Sequence, residues 1–198
     1  MRVLFASSEI FPLAKTGGLA DVSAGLPAAL AEQGVDIQLI MPAYPETLDR
    51  VRGKAKARPV PLLGHDDVSL IPALMPDTLL PVWLVHSPSL FGRLGGLYSD
   101  ADGHEWPDNA IRFAVLAHAA ARVALGAVGD DWRADVAHAN DWHVGLLPAI
   151  FAAHRGPRPR TLLTIHNLAF QGLFPAKVFP RLGLPEEYFS PDGLEFYG

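Results

Sequence analysis

The chain alternates between short apolar runs and longer segments with helical periodicity. Residues 2–8, RVLFASS, open with β-branched and apolar side chains, a composition suited to a strand buried on both faces. After a glycine-containing loop, Leu19, Val22, Leu26, Ala29 and Leu30 recur at helical spacing, and Gly34 stands where a C-terminal cap belongs. DIQLIMP (36–42) predicts the next strand, so the first 42 residues make one right-handed βαβ unit with parallel strands. VSLIPALM (68–75) and LLPVWLVHS (79–87) also look like strands, with Pro72 and Pro81 pointing to edges, bulges or strand starts. A long loop follows over 87–108, and then an alanine-rich helix from about Asp108 to Ala127. DVAHAND (135–141) predicts a strand, WHVGLLPAIFAAH (142–154) one helix, and RTLLTIHN (160–167) a strand with a buried TLLTI run. This alternation predicts an α/β fold, a Rossmann-like doubly wound parallel sheet.

Ligands of such sheets bind outside the carboxyl ends of the strands. That rule gathers EIFPLAKTGGLAD (9–21), HANDWH (138–143) and IHNLAFQG (165–172) on one rim. In the first, Gly17 and Gly18 would let a ligand approach the backbone at φ values other residues avoid, with Lys15 as a mobile charge for a phosphate. Asp21 would bond a hydroxyl or cap the helix. The string is neither a dinucleotide fingerprint nor a P-loop, so a tight turn with an exposed lysine competes with an anion cradle. HANDWH offers His138, Asn140, Asp141 and His143. Alternate residues of a strand face opposite ways and no acidic cluster adds oxygen ligands, which favours hydrogen bonding or core packing over a metal. His166 ends a strand, where it either bonds a ligand and moves a proton or packs. Tyr98, in the glycine-rich loop, is placed to stack on a base or sugar, or is incidental.

Composition narrows the field. The chain has 198 residues and a formal net charge of −5, which argues against a nucleic-acid or anionic-membrane partner. Basic residues between positions 50 and 58 read as a solvated loop. The absence of cysteine excludes disulfides, thiolate metal sites and thiol nucleophiles, and fits a cytoplasmic location. No apolar run approaches the length of a membrane span, because Pro, Gly or charge interrupts each one.

Four stretches then carry a resemblance: SSEIFPLAKTGGLADVSAGLPAAL (7–30), HANDWHVGLLPA (138–149), TIHNLAFQG (164–172) and DGLEFYG (192–198). Together and in this order they closely resemble the N-terminal half of bacterial glycogen synthases and plant starch synthases. The likeness runs over residues 1–198 and is weakest over about 50–80. It implies a retaining GT-B glucosyltransferase that needs no metal or cofactor. Its partners would be ADP-glucose and the non-reducing end of an α-1,4-glucan such as glycogen. By position, Lys15, Gly17 and Gly18 would meet the donor's phosphates and sugar, and Asp21 falls on the donor-binding acid. Tyr98 and Asp141 would line the sugar or acceptor side, His166 would be the catalytic histidine beside the transferred glucose, and Asn167 its support. Asn140 departs from the family, where histidine is common, and receives no role. The resemblance also implies that residues 1–198 form one domain of an incomplete enzyme. The C-terminal GT-B domain would be absent, and the chain inactive alone. A GT-B enzyme using another sugar nucleotide, a related epimerase, a glucan-binding module and a nicotinamide oxidoreductase are the competing readings. Scattered tryptophans in an α/β pattern oppose the module, and the missing dinucleotide fingerprint opposes the oxidoreductase.

Overall fold

The computed structural model describes residues 1–129 and 131–196. Its strands are β1 (Arg2–Ala6), β2 (Asp36–Pro42), β3 (Arg58–Pro59), β4 (Ser69–Leu74), β5 (Pro81–His86), β6 (Val136–Asn140) and β7 (Arg160–Thr164). Its helices are α1 (Gly18–Glu32), α2 (Thr47–Arg50), α3 (Asn109–Ala124) and α4 (Leu147–Ala153), and the sheet order is β3-β4-β5-β2-β1-β6-β7. The five strands from β5 to β7 are parallel, as the alternation predicts, whereas β3 and β4 add an antiparallel edge. Mostly parallel sheets commonly carry such an edge. Pro81 opens β5, and Pro72 lies in β4, beyond the two residues that β3 pairs.

The connection β1–α1–β2 and the connection β5–α3–β6 run in opposite directions along the sheet. Both being right-handed, they put α1 on one face and α3 on the other. The strand order therefore reverses between β1 and β6, the place where an open α/β sheet leaves a crevice at its carboxyl ends. All of Val3, Leu4, Phe5 and Ala6 are buried, as expected for a strand covered on both faces. Helix α3 is buried around nearly its whole circumference, and its alanines let it sit close to the sheet.

Three expectations are corrected. In α1 the inward face is Leu19, Ala20, Ser23 and Pro27, whereas Val22 and Leu26 are 43% and 37% exposed and Ala29 is exposed too. The helix is turned so that the buried Ser23 hydroxyl donates to Ser7 Oγ at 2.9 Å, and small inward side chains permit that approach. The predicted helix over 142–154 is two pieces, a 3₁₀ turn at Trp142–Val144 and then α4. Pro148, with its fixed φ and missing N–H, suits the first turn of a new helix rather than the middle of an old one. Last, the TLLTI run is not buried: Leu162, Leu163 and Ile165 are 51%, 42% and 57% exposed. Among the described residues β7 pairs only with β6 and is an edge strand. At the far end of α1 the expectation holds, for Gly34 takes φ +80° directly after the C-cap Gln33. Among the described residues no helix is long and apolar enough to cross a membrane.

Candidate functional site

The carboxyl ends of β1, β6 and β7 lie side by side, so the three candidate segments share one rim. The segment after β1 is organised by an acid. Glu9, 3% exposed, accepts from the Thr16 N–H at 2.5 Å and the Gly17 N–H at 3.3 Å through Oε2. Its Oε1 accepts from the Thr16 hydroxyl at 2.6 Å and the Tyr98 hydroxyl at 2.5 Å. A carboxylate at the N-terminal end of α1 meets unpaired amides and the positive pole of the helix. The cradle that the glycine loop promised is thus partly occupied from within the chain. Arg50, from the stretch expected to be a solvated loop, pairs with Glu46 and donates to the carbonyls of Pro12 and Leu13.

Gly17 has φ −150°, and neither Gly17 nor Gly18 has a positive φ. The expectation that these glycines supply a forbidden conformation is corrected. Their property is space, since a Cβ built on either meets nothing within 4 Å. Lys15 Nζ reaches both Asp21 oxygens, at 2.6 and 2.8 Å, so Asp21 pairs with the lysine rather than capping α1. Both partners are about half exposed, so the pair adds little stability and an arriving anion can compete for the ammonium.

Tyr98 is not an incidental loop tyrosine. Besides Glu9 its hydroxyl shares a hydrogen bond with Ser8 Oγ at 2.8 Å, and its ring stacks on His143 at 4.6 Å. Burial first, then the neighbouring Tyr44 and Glu9, holds its ionisation well above the usual phenol range. The loop that carries it is anchored by Arg112, a buried cation in the apolar helix α3. Arg112 donates to the carbonyls of Leu90 (2.7 Å) and Leu97 (3.0 Å) and to Asn109 Oδ1 (2.6 Å), with Phe91, Phe113 and Trp106 rings around it.

At the end of β6 the buried Asn140 donates from Nδ2 to the carbonyls of Ala6 and His138, both at 3.3 Å. That orientation leaves Oδ1 facing His166 Nε2 at 3.2 Å, and since an amide oxygen only accepts, the imidazole donates there. The neutral amide thereby sets the tautomer of the candidate catalytic histidine. Asp141 has φ +65°, a strained value for a side chain with a Cβ, and its carboxylate accepts from the Trp142 N–H at 2.9 Å. Asn167 Oδ1 accepts from the Ala169 N–H at 2.9 Å and bends the chain just after His166. His138 is the satisfied core histidine of the motif: it bonds Thr164 Oγ1 at 2.7 Å, and burial followed by the nearby His166 lowers its pKa. His143, sandwiched between Tyr98 and Trp142, has a buried Nδ1 without a partner, and burial, aided by Arg112, lowers its pKa to about 3.

The two histidines of HANDWH thus turn to different neighbours. Among the described residues the one trio of His and acid side chains close enough to share an ion is Asp100, Asp102 and His104, in the long loop. A cavity of about 730 Å³ lies beside this rim against the exposed edge of β7. Phe113, Trp142, Leu163, Ile165, Phe170 and Phe174 are among its walls, and Asp141, His143 and Gln171 add polar groups to a mainly apolar lining. Gly172 closes the HNLAFQG stretch at φ +64°, where a Cβ would stand 2.5 Å from the Trp142 indole. Tyr197 and Gly198 of the DGLEFYG stretch lie outside the described residues.

Glu9 and Arg112 are the residues that sequence reasoning missed, and Asn140 was named but given no role. A lone acid between a strand and Pro12, and a lone arginine among the apolar residues of the first turns of α3, were the available signals. Asn140 stood among the residues HANDWH offers for hydrogen bonding and departs from the family pattern, but neither signal named His166 as its partner.

Comparison with known proteins follows the same lines. The chain is 52% identical over 198 residues to the glycogen synthase of Halorhodospira halophila, covering 100% of this chain and 41% of that protein. It is 50% identical over 196 residues to the glycogen synthase of Burkholderia thailandensis, covering 98% of this chain and 37% of that one. The catalytic domain of starch synthase IV from Arabidopsis thaliana, solved bound to ADP and acarbose, matches with a TM-score of 0.79 and 27% identity. That match covers 97% of this chain and 39% of the other. The chain spans about two fifths of the length of the curated relatives it matches. With the family model described as starch synthase catalytic domain matching residues 2–198, this chain belongs to that family.

Proposed function

We propose that this chain supplies one wall of the active-site cleft of a glycogen synthase. The full-length enzyme would move glucose, with retention, from ADP-glucose to the non-reducing end of an α-1,4-glucan. The observation that carries the reading is the convergence of the Lys15–Asp21 loop, Tyr98 and the Asn140–His166 pair at the β1/β6 crevice. The ADP and acarbose on the matched Arabidopsis domain, a nucleotide and an oligosaccharide analogue, are ligands of the expected kind.

Glucosyl transfer passes through an oxocarbenium-like state while negative charge grows on the departing diphosphate. In this reading Lys15 leaves Asp21 to meet that charge, and Gly17 and Gly18 let the diphosphate approach their backbone. Asp21, released, would bond a sugar hydroxyl. His166 bonds Asn140 through Nε2, and in this reading its other face would be left for the transferred glucose, with the Asn167 turn directly after it. Tyr98 and Asp141 would border the sugar and acceptor. Stabilising the leaving group takes several preorganised donors. Lys15 is the one basic side chain of the 9–21 segment, so the 198-residue chain alone is expected not to transfer glucose. The reading places the enzyme in the cytoplasm, which a cysteine-free chain suits.

Incorporation of labelled glucose from ADP-glucose into glycogen tests it with the full-length protein. Lys15→Ala and His166→Ala are each expected to lower transfer at least about a hundredfold, in line with removal of one charge-stabilising donor. Transfer unchanged in both variants would sink the site assignment.

A further inference from the structure

We infer that Glu9 is a positioning residue for the nucleotide sugar, setting the shape of the glycine loop from behind; this rests on the function proposed above. A buried carboxylate is costly unless it is well paired. Glu9 is buried, and among the described residues no basic side chain forms an ion pair with it. Its four donors are instead the two backbone amides of Thr16 and Gly17, the Thr16 hydroxyl and the Tyr98 hydroxyl. A core that needed only to be filled would use an apolar side chain here. This carboxylate joins two loops far apart in sequence, and both carry candidate ligand-binding groups.

Two consequences follow for a bound diphosphate. The Thr16 and Gly17 amides point at Glu9, so a phosphate must be met by Lys15 and by the first amides within α1. The carboxylate also stands where an anion would otherwise settle at this helix end, and it repels the diphosphate from that spot. What stays open is the side above Gly17 and Gly18, where nothing lies within 4 Å of either Cβ position. Glu9 therefore selects the place at which the loop can receive a diphosphate. It acts through the loop and does not touch the ligand. The Tyr98 hydroxyl ties the same carboxylate to the ring stacked on His143, so the loop is linked through Tyr98 to the HANDWH segment.

The shape of the network predicts a graded response. In Glu9→Gln the amide oxygen can face the two backbone N–H groups, and its NH₂ can face the hydroxyls of Thr16 and Tyr98, which rotate to accept. In Glu9→Ala all four donors lose their acceptor. In the full-length protein, Glu9→Ala is expected to raise the KM for ADP-glucose at least about tenfold, some 1.4 kcal/mol, with the KM for glucan within twofold. Glu9→Gln is expected to restore the donor KM to within about threefold of wild type. An unchanged donor KM in Glu9→Ala overturns the inference. So does an equal rise for both substrates, the pattern of general loosening, or a Glu9→Gln as impaired as Glu9→Ala. If Glu9→Ala does not fold, Thr16→Val carries the test, because it removes only the hydroxyl on Oε1. It is expected to raise the donor KM about threefold with the glucan KM unmoved, and no change overturns the inference. Amide hydrogen exchange separates this inference from the proposed activity. Slow Thr16 and Gly17 amides that become fast in Glu9→Ala support the loop clamp even if the wild type proves inert with ADP-glucose. Amides equally fast in both proteins refute the clamp whatever the activity.

Discussion

His143 makes a pH dependence that can be worked out in advance. The imidazole is 7% exposed, lies between the Tyr98 and Trp142 rings, and has its pKa lowered from 6.5 to about 3 by burial and by Arg112. The unfolded chain binds a proton here near pH 6.5, whereas the folded chain binds it only near pH 3. Between those values the unfolded state holds more protons, so stability falls as the pH falls. At pH 7 the cost is close to nil. At pH 4.5 the solution is two units below the unfolded pKa of 6.5, and at ~1.4 kcal/mol per unit the loss is about 3 kcal/mol. Replacing His143 by Phe keeps a flat ring in the stack and removes both the titration and the unpartnered Nδ1. Urea unfolding of wild type and His143→Phe at pH 7.0 and 4.5 isolates the effect. The variant is expected to lose about 3 kcal/mol less than wild type on acidification. His138 and His118 also have lowered pKa values, but they remain in both proteins and cancel in the difference. Equal losses in the two proteins would show that His143 is not held neutral by its surroundings.

Two further substitutions separate stability from binding. Gly18→Ala replaces glycine at the first position of α1, where alanine is the better helix former and a Cβ meets nothing. Stability is expected to hold or rise by about 0.5 kcal/mol in thermal melts, while transfer in the full-length protein falls because the methyl fills the approach to the backbone. Full activity would show that no ligand comes close there. Arg112→Met removes the donor from the Leu90 and Leu97 carbonyls and from Asn109, leaving buried acceptors unpaired. A loss of about 3 kcal/mol is expected, lowering Tm by about 6–12 °C in calorimetry, and an unshifted Tm would contradict it.

The order of strands and helices was written in the hydrophobic periodicity, and so was the rim at the strand ends, because both depend on local pattern and on the handedness of βαβ units. DIQLIMP became β2 residue for residue, and Gly34 ended α1 as its place in the pattern required. Which side of α1 faces inward was not legible. Val22 and Leu26 carry the stronger apolar signal, yet the helix turns Ser23 inward, where its hydroxyl bonds Ser7, 16 residues away. Nor does an apolar run reveal whether a neighbour covers it: TLLTI reads as buried and lies on an exposed sheet edge. Lys15, Asp21, Tyr98, Asp141, His166 and Asn167 were candidates by position alone, but their partners were not legible. Glu9 meets Tyr98 across 89 residues, and Asn140 meets His166 across 26. Hydrogen bonds of that kind depend on where the sheet brings distant strand ends together. Sequence alone therefore determined which segments gather at the crevice. Tertiary structure decided that the glycine loop already holds a carboxylate of its own, and that its glycines provide room rather than an unusual backbone conformation.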